Sequence, residues 1–148
     1  MKKQRINLDT SVFGGYFDVE FVMFTKPLFD RIHSKEFIVL LSAIFQRELE
    51  PAPEKIKNLV RELSSECTEI IEENEEVLDL AMEYISENVV EPTSLADCLP
   101  ITLATINQAD LLVSWNFRHV VNIERIRGYN SINIKNGYKL LEIRSPRD

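Results

Sequence analysis

The sequence predicts an α/β domain built around a mainly parallel sheet. Three observations carry this. Short continuous apolar runs, such as Glu36–Ser42 (EFIVLLS) and Leu111–Ser114 (LLVS), suit strands buried on both faces. Between them lie longer stretches with apolar residues at helical spacing. The two patterns alternate along most of the chain, which is the order of βα crossovers rather than of hairpins.

The elements follow in order. Arg5–Asp9 reads as a short strand ending in an acid, and Thr10–Phe17 as a turn punctuated by Gly14-Gly15. Lys26–Lys35 carries Leu28, Phe29 and Ile32 at helical spacing. Glu36–Ser42 is the second strand. Ala43–Glu50 is a short helix stopped by Pro51 and Pro53. From Glu54, residues Ile56, Leu59, Val60 and Leu63 make one apolar helix face. Thr68–Ile71 is a short strand. Glu75–Asn88 is a helix with Val77, Leu80, Ala81, Tyr84 and Ile85 on one face and Asp79, Glu83 and Glu87 on the other. Ser94–Ala109 is apolar nearly all round and reads as a buried helix. Leu111–Ser114, Phe117–Arg127 and Leu140–Arg144 complete the order as strand, helix and strand. No internal repeat, low-complexity stretch or linker interrupts it, so residues 1–148 read as one domain.

Composition narrows the class. With 148 residues, 45% hydrophobic and 28% charged, the chain supports one core and excludes wholesale disorder. No apolar run approaches the ~20 residues of a membrane helix, and no signal-type apolar segment follows the basic start Lys2-Lys3-Gln4-Arg5. Two cysteines, Cys67 and Cys98, make neither a disulfide framework nor metal-finger spacing. A reduced cytoplasmic protein without membrane attachment is expected. The net charge is −7, unevenly spread: residues 1–110 hold 21 acids and 10 bases, residues 111–148 hold 3 acids and 7 bases. Glu62–Glu91 contains eleven acids and no Lys or Arg. It is either a solvated helix surface or a face for a basic partner.

In open α/β sheets, ligands bind beyond the carboxyl ends of the strands. Asp9 closes the first strand, Glu48 follows Ser42 into the next helix, Asp97 opens the buried helix, and Asn116 follows the fourth strand. Each has an ordinary structural alternative. Asp9, Asp97 and Asn116 are good helix caps, and Glu48 is a common surface residue. Asp97 as cap also places Pro100 in a tolerated first-turn position. As a set, three carboxylates near one end of a sheet repel each other unless a cation joins them, and oxygen donors of this kind suit Mg²⁺ or Mn²⁺.

The segments INLDTSVFGG (Asp9), LLSAIFQRELE (Ser42, Glu48) and ADCLPITLATINQADLLVSWNFRHV (Asp97, Ser114, Asn116) resemble, in order and spacing, the PIN domain of VapC-type toxin ribonucleases. The resemblance covers nearly the whole chain, and its most specific part is the Asp, the following helix and strand, and Ser-x-Asn. It implies a three-layer sandwich with helices on both sides of the sheet. It implies a metal-dependent ribonuclease, the toxin of a toxin–antitoxin pair, with RNA as substrate, a small antitoxin as partner, and a homodimer. Asp9, Glu48 and Asp97 then hold Mg²⁺ or Mn²⁺, with Asn116 completing the catalytic set and Thr10 and Ser114 orienting its ligands. Trp115 stacks on a base, and Arg118 and His119 contact phosphate. Two departures stand out. Asn116 occupies the place of a fourth acid, which weakens metal binding, and Pro100 shifts Asp97 from its usual direction.

The competing class is a PIN-like binding module with little chemistry, acting through a protein partner. A phosphotransfer enzyme using Asp9 lacks the second Asp two residues on, where Ser11 stands. No G-x-G-x-x-G follows a strand, and no Ser or Cys triad is supported, with only His33 and His119 available as bases.

Overall fold

The computed structural model describes residues 2–148. Five strands, β1 (Gln4–Leu8), β2 (Phe37–Ser42), β3 (Thr68–Ile71), β4 (Leu111–Val113) and β5 (Ile143–Arg144), form one sheet in the order β3-β2-β1-β4-β5. All four pairings are parallel. Seven α-helices connect them: α1 (Thr10–Gly15), α2 (Val22–His33), α3 (Ala43–Leu49), α4 (Glu54–Arg61), α5 (Glu75–Ser86), α6 (Leu95–Ile106) and α7 (Ile123–Lys135). Among the described residues, no helix is long and apolar enough to cross a membrane.

Strand alternation divides the core in two. Ile6 and Leu8 of β1, Phe37 and Val39 of β2, and Val113 of β4 pack with Val12, Phe13, Phe29 and Leu59 from α1, α2 and α4. Leu40, Ile71, Leu112 and Ile143 face the opposite way and pack with Tyr84, Ile101 and Tyr129 from α5, α6 and α7. The result is the expected three-layer arrangement, and it explains why the strands read as continuous apolar runs: both faces are covered.

Three elements differ from the sequence expectation. Thr10–Gly15 is helical rather than a turn, because Gly15 is needed for proximity and not for flexibility. A Cβ there would lie 2.6 Å from Trp115 Nε1. The expected helix Phe117–Arg127 is a turn over 117–120 followed by α7, which starts at Ile123 and runs to Lys135. Two asparagines divide it. Asn116 Oδ1 accepts from the backbone N–H groups of Arg118 (3.2 Å) and His119 (3.0 Å), and Asn122 Oδ1 accepts from Arg125 N–H (3.2 Å). Gly128, unfavourable inside a helix, is kept because α7 approaches Val89 so closely that a Cβ would meet its Cγ1 at 2.7 Å. The last strand is only Ile143–Arg144, since the Asn130 amide takes both backbone groups of Leu141.

The acidic segment Glu62–Glu91 is partly neutralised within the chain. Glu66, Glu69, Glu73 and Glu87 pair with Lys35, Arg5, Arg47 and Lys135. Arg5–Glu69 is the most protected of these pairs, and the Arg5 guanidinium holds the Glu69 carboxyl below its usual range.

Candidate active site

The strand order reverses at β1, where β2 lies on one side and β4 on the other. This is the switch point at which a crevice opens beyond the strand ends. Leu8 is in register with Val113, and Asp9 N–H donates to Val113 O at 2.9 Å. The next residues, Asp9 and Ser114, therefore emerge side by side although 105 positions separate them.

Four hydroxyls and three backbone amides organise this end of the sheet. Ser114 Oγ donates to Asp9 Oδ2 at 2.7 Å, and Ser11 Oγ donates to the same oxygen at 2.9 Å. Each serine is itself held by a backbone amide. Trp115 N–H donates to Ser11 Oγ (3.0 Å) and Asn116 N–H to Ser114 Oγ (2.9 Å). One Asp9 oxygen is thereby committed, which fixes the carboxylate plane. Ser42 caps α3 by accepting from Phe45 N–H at 3.1 Å. This starts the helix directly after β2 and brings Glu48 towards Thr10, whose Oγ1 donates to Glu48 Oε2 at 3.0 Å.

Asp9, Thr10, Ser11 and Glu48 line an open cleft of about 480 Å³ together with Asp97, Pro100, Asn116 and Val120. Asp97 is in the first turn of α6, which begins at Leu95; Ser94 takes the cap position, and no side-chain cap bond forms there. Asp97 is thus not the cap, and Pro100 is inside the helix. The proline lacks the N–H that would donate to Ala96 O, and its own carbonyl accepts from the buried Asn7 Nδ2 at 3.3 Å, tying α6 to β1. Asp97 still reaches the cleft, so Pro100 does not turn it away.

None of Asp9, Glu48 and Asp97 pairs with a Lys or Arg among the described residues. Partial burial raises the Glu48 pKa, the Thr10 hydrogen bond opposes this, and the Asp9 charge adds to the rise. Uncompensated oxygen donors of this kind fit a hard divalent cation. Among the described residues, no three Asp, Glu, His or Cys side chains are grouped closely enough to hold one ion. Asp9, Glu48 and Asp97 line the same cleft.

The raised Glu48 value has a testable consequence. A carboxyl whose pKa rises on folding is favoured protonated, so its ionised form costs stability at neutral pH. Glu48→Gln is expected to stabilise the metal-free protein at pH 7 by less than about 1 kcal/mol, the surrounding solvent limiting the effect. The gain should vanish as the pH falls below the ordinary value of 4.5. Urea unfolding at the two pH values measures it; a loss of stability at pH 7 would count against it.

Other assigned residues are placed differently from expectation. Trp115 is buried, with Phe21 stacked on its ring at a centroid distance of 4.3 Å and Nε1 donating to Thr25 Oγ1 at 3.0 Å. No base can reach it, and its aromaticity serves packing. Asn116 lines the cleft, but its carbonyl oxygen is engaged in capping the turn. His119 is not on a helix; it is largely buried and faces Asp97, so the expected phosphate contact is replaced by an intramolecular one. Arg118 is exposed on the same turn, without a carboxylate partner among the described residues. Ser11, which sequence reasoning passed over, bridges Asp9 and the Trp115 backbone. The adjacent hydroxyls Thr10-Ser11 after an acid were its available signal.

No family model matches the chain, and no curated protein matches it. Among solved structures, it is similar to a chain of VapBC2 from Rickettsia felis, crystallised with a DNA fragment from the promoter. The TM-score is 0.58, the identity 16%, and the match covers 95% of this chain and 98% of that one. The likeness shows the fold, a five-stranded parallel sheet between helical layers.

Proposed function

We propose that this VapC-like PIN fold is a divalent-metal-dependent endoribonuclease and the toxin of a toxin–antitoxin pair. The observation that carries this is the cleft at the β1/β4 switch point, where three carboxylates face solvent without a neutralising Lys or Arg. Asp9, Glu48 and Asp97 would hold Mg²⁺ or Mn²⁺. Such a cation, when bound, lowers the pKa of water and offsets charge on a phosphodiester. Ser11 and Ser114 fix the Asp9 carboxylate, and Thr10 anchors Glu48, so each of these two acids presents a defined free oxygen. The exposed Arg118, two residues after Asn116, would meet RNA phosphate. The solved relative's VapBC2 complex supports a small antitoxin protein as partner, and the resemblance to VapC-type proteins supports a homodimer in the cytoplasm.

The test is cleavage of a mixed RNA panel with Mg²⁺ or Mn²⁺ and with EDTA. Cleavage lost on chelation supports the nuclease. Folded protein that cleaves nothing in either metal points instead to a binding module acting through a protein partner.

Asn116 supplies a separate expectation. Its oxygen already accepts from two backbone N–H groups, a role that Asp fills equally well. Asn116→Asp should therefore change Mn²⁺ affinity by less than about threefold, even though it adds a charge near the cleft. Calorimetric titration measures this, and a tightening of tenfold or more would place position 116 among the ligands.

A further inference from the structure

We infer that His119 is a positioning residue for Asp97, and that Asn116 acts on the site by building the turn that presents it. The inference rests on the cation-binding function proposed above. His119 Nε2 lies 3.8 Å from Asp97 Oδ2, and the imidazole is only 16% exposed. Among the described residues, the Asp97 carboxylate has no other charged partner and makes no cap bond. His119 is thus the side chain placed to restrain it.

The protonation pattern follows from burial. A neutral imidazole carries one N–H and one lone pair. His119 Nδ1 is buried without any hydrogen-bond partner. A proton on Nδ1 would bury an orphan donor and turn the Nε2 lone pair towards a carboxylate. A proton on Nε2 aims the donor at Asp97 and leaves only an unsatisfied acceptor inside, the less costly arrangement. Nε2–H therefore faces Asp97, across a gap that a small shift or one water closes.

The backbone holds the ring there. His119 N–H donates to Asn116 Oδ1 at 3.0 Å, and His119 O accepts from the hydroxyl of the fully buried Tyr129 at 2.7 Å. These two bonds fix the backbone from which the imidazole projects, and the ring's own burial limits its rotation. The structure assigns to Asn116 the shape of this turn, in place of direct ligation. Donors behind metal-binding side chains orient them, and losing one typically costs roughly ten- to a hundredfold in metal affinity.

The test is calorimetric Mn²⁺ titration of the full chain as wild type, Asp97→Asn, His119→Ala and His119→Gln. The Gln amide restores an N–H donor at similar reach. Asp97→Asn and His119→Ala should both bind more weakly, the latter by about tenfold, and His119→Gln should recover most of the loss. Wild-type affinity in His119→Ala alongside weakened Asp97→Asn overturns the positioning role and leaves the metal site standing. Wild-type affinity in both removes the metal site as well. A His119→Gln protein as weak as His119→Ala overturns the donor assignment.

Discussion

Asp9→Asn should abolish metal-dependent RNA cleavage without unfolding the protein. Asp9 stands at the junction of β1 and α1, and its Oδ2 accepts from both Ser11 and Ser114. Asn keeps a carbonyl oxygen for those hydroxyls, so the local network survives. It removes a negative charge from the donor set. Charge stabilisation by a bound cation is worth several kcal/mol in the transition state, and each 1.4 kcal/mol is about tenfold in rate. A loss on the order of a hundred- to a thousandfold is expected in single-turnover cleavage with Mn²⁺. The same substitution relieves the repulsion that helps to raise the Glu48 pKa, so the unfolding midpoint of the metal-free protein should not fall. Undiminished cleavage by folded Asp9→Asn protein would sink the nuclease.

Trp115→Ala should cost about 3–5 kcal/mol of folding stability, the range for emptying a large aromatic site. Domains of this kind have only roughly 5–15 kcal/mol in total, so the variant will sit near the edge of folding at room temperature. Phe21 stacks on one face of the indole, Phe117 meets it at 65°, Thr25 takes its N–H, and Gly15 is small to admit it. No single neighbour can collapse to fill the space. Trp115→Phe keeps the stacking and loses the Nε1 donor, so it should cost less. Urea unfolding of the three proteins measures both steps. A Trp115→Ala protein of wild-type stability but weakened RNA binding would return the ring to a base-stacking role.

Trp115 also shows where sequence reasoning reached its limit. A tryptophan between Ser114 and Asn116, next to the expected site, suggests recognition by type and position. Its actual surroundings come from Phe21 and Thr25, 94 and 90 positions earlier. No local pattern states that separation. Ser11 was overlooked for the same reason: its partners Ser114 and Trp115 become neighbours only when β4 pairs with β1. Asn116 and His119 were read as separate candidates, while a three-residue hydrogen bond links them into one turn.

The sequence by itself determined the α/β class, a mainly parallel sheet, most strand positions and the acids Asp9, Glu48 and Asp97 that line the cleft. Those features depend on apolar period, strand-length runs and capping residues, which act over a few positions along the chain. Only the tertiary structure decided which oxygen of Asp9 is engaged, that Trp115 is core, that α6 begins before Asp97, and that His119 turns inward. These depend on side chains from strands and helices far apart in sequence meeting at the switch point.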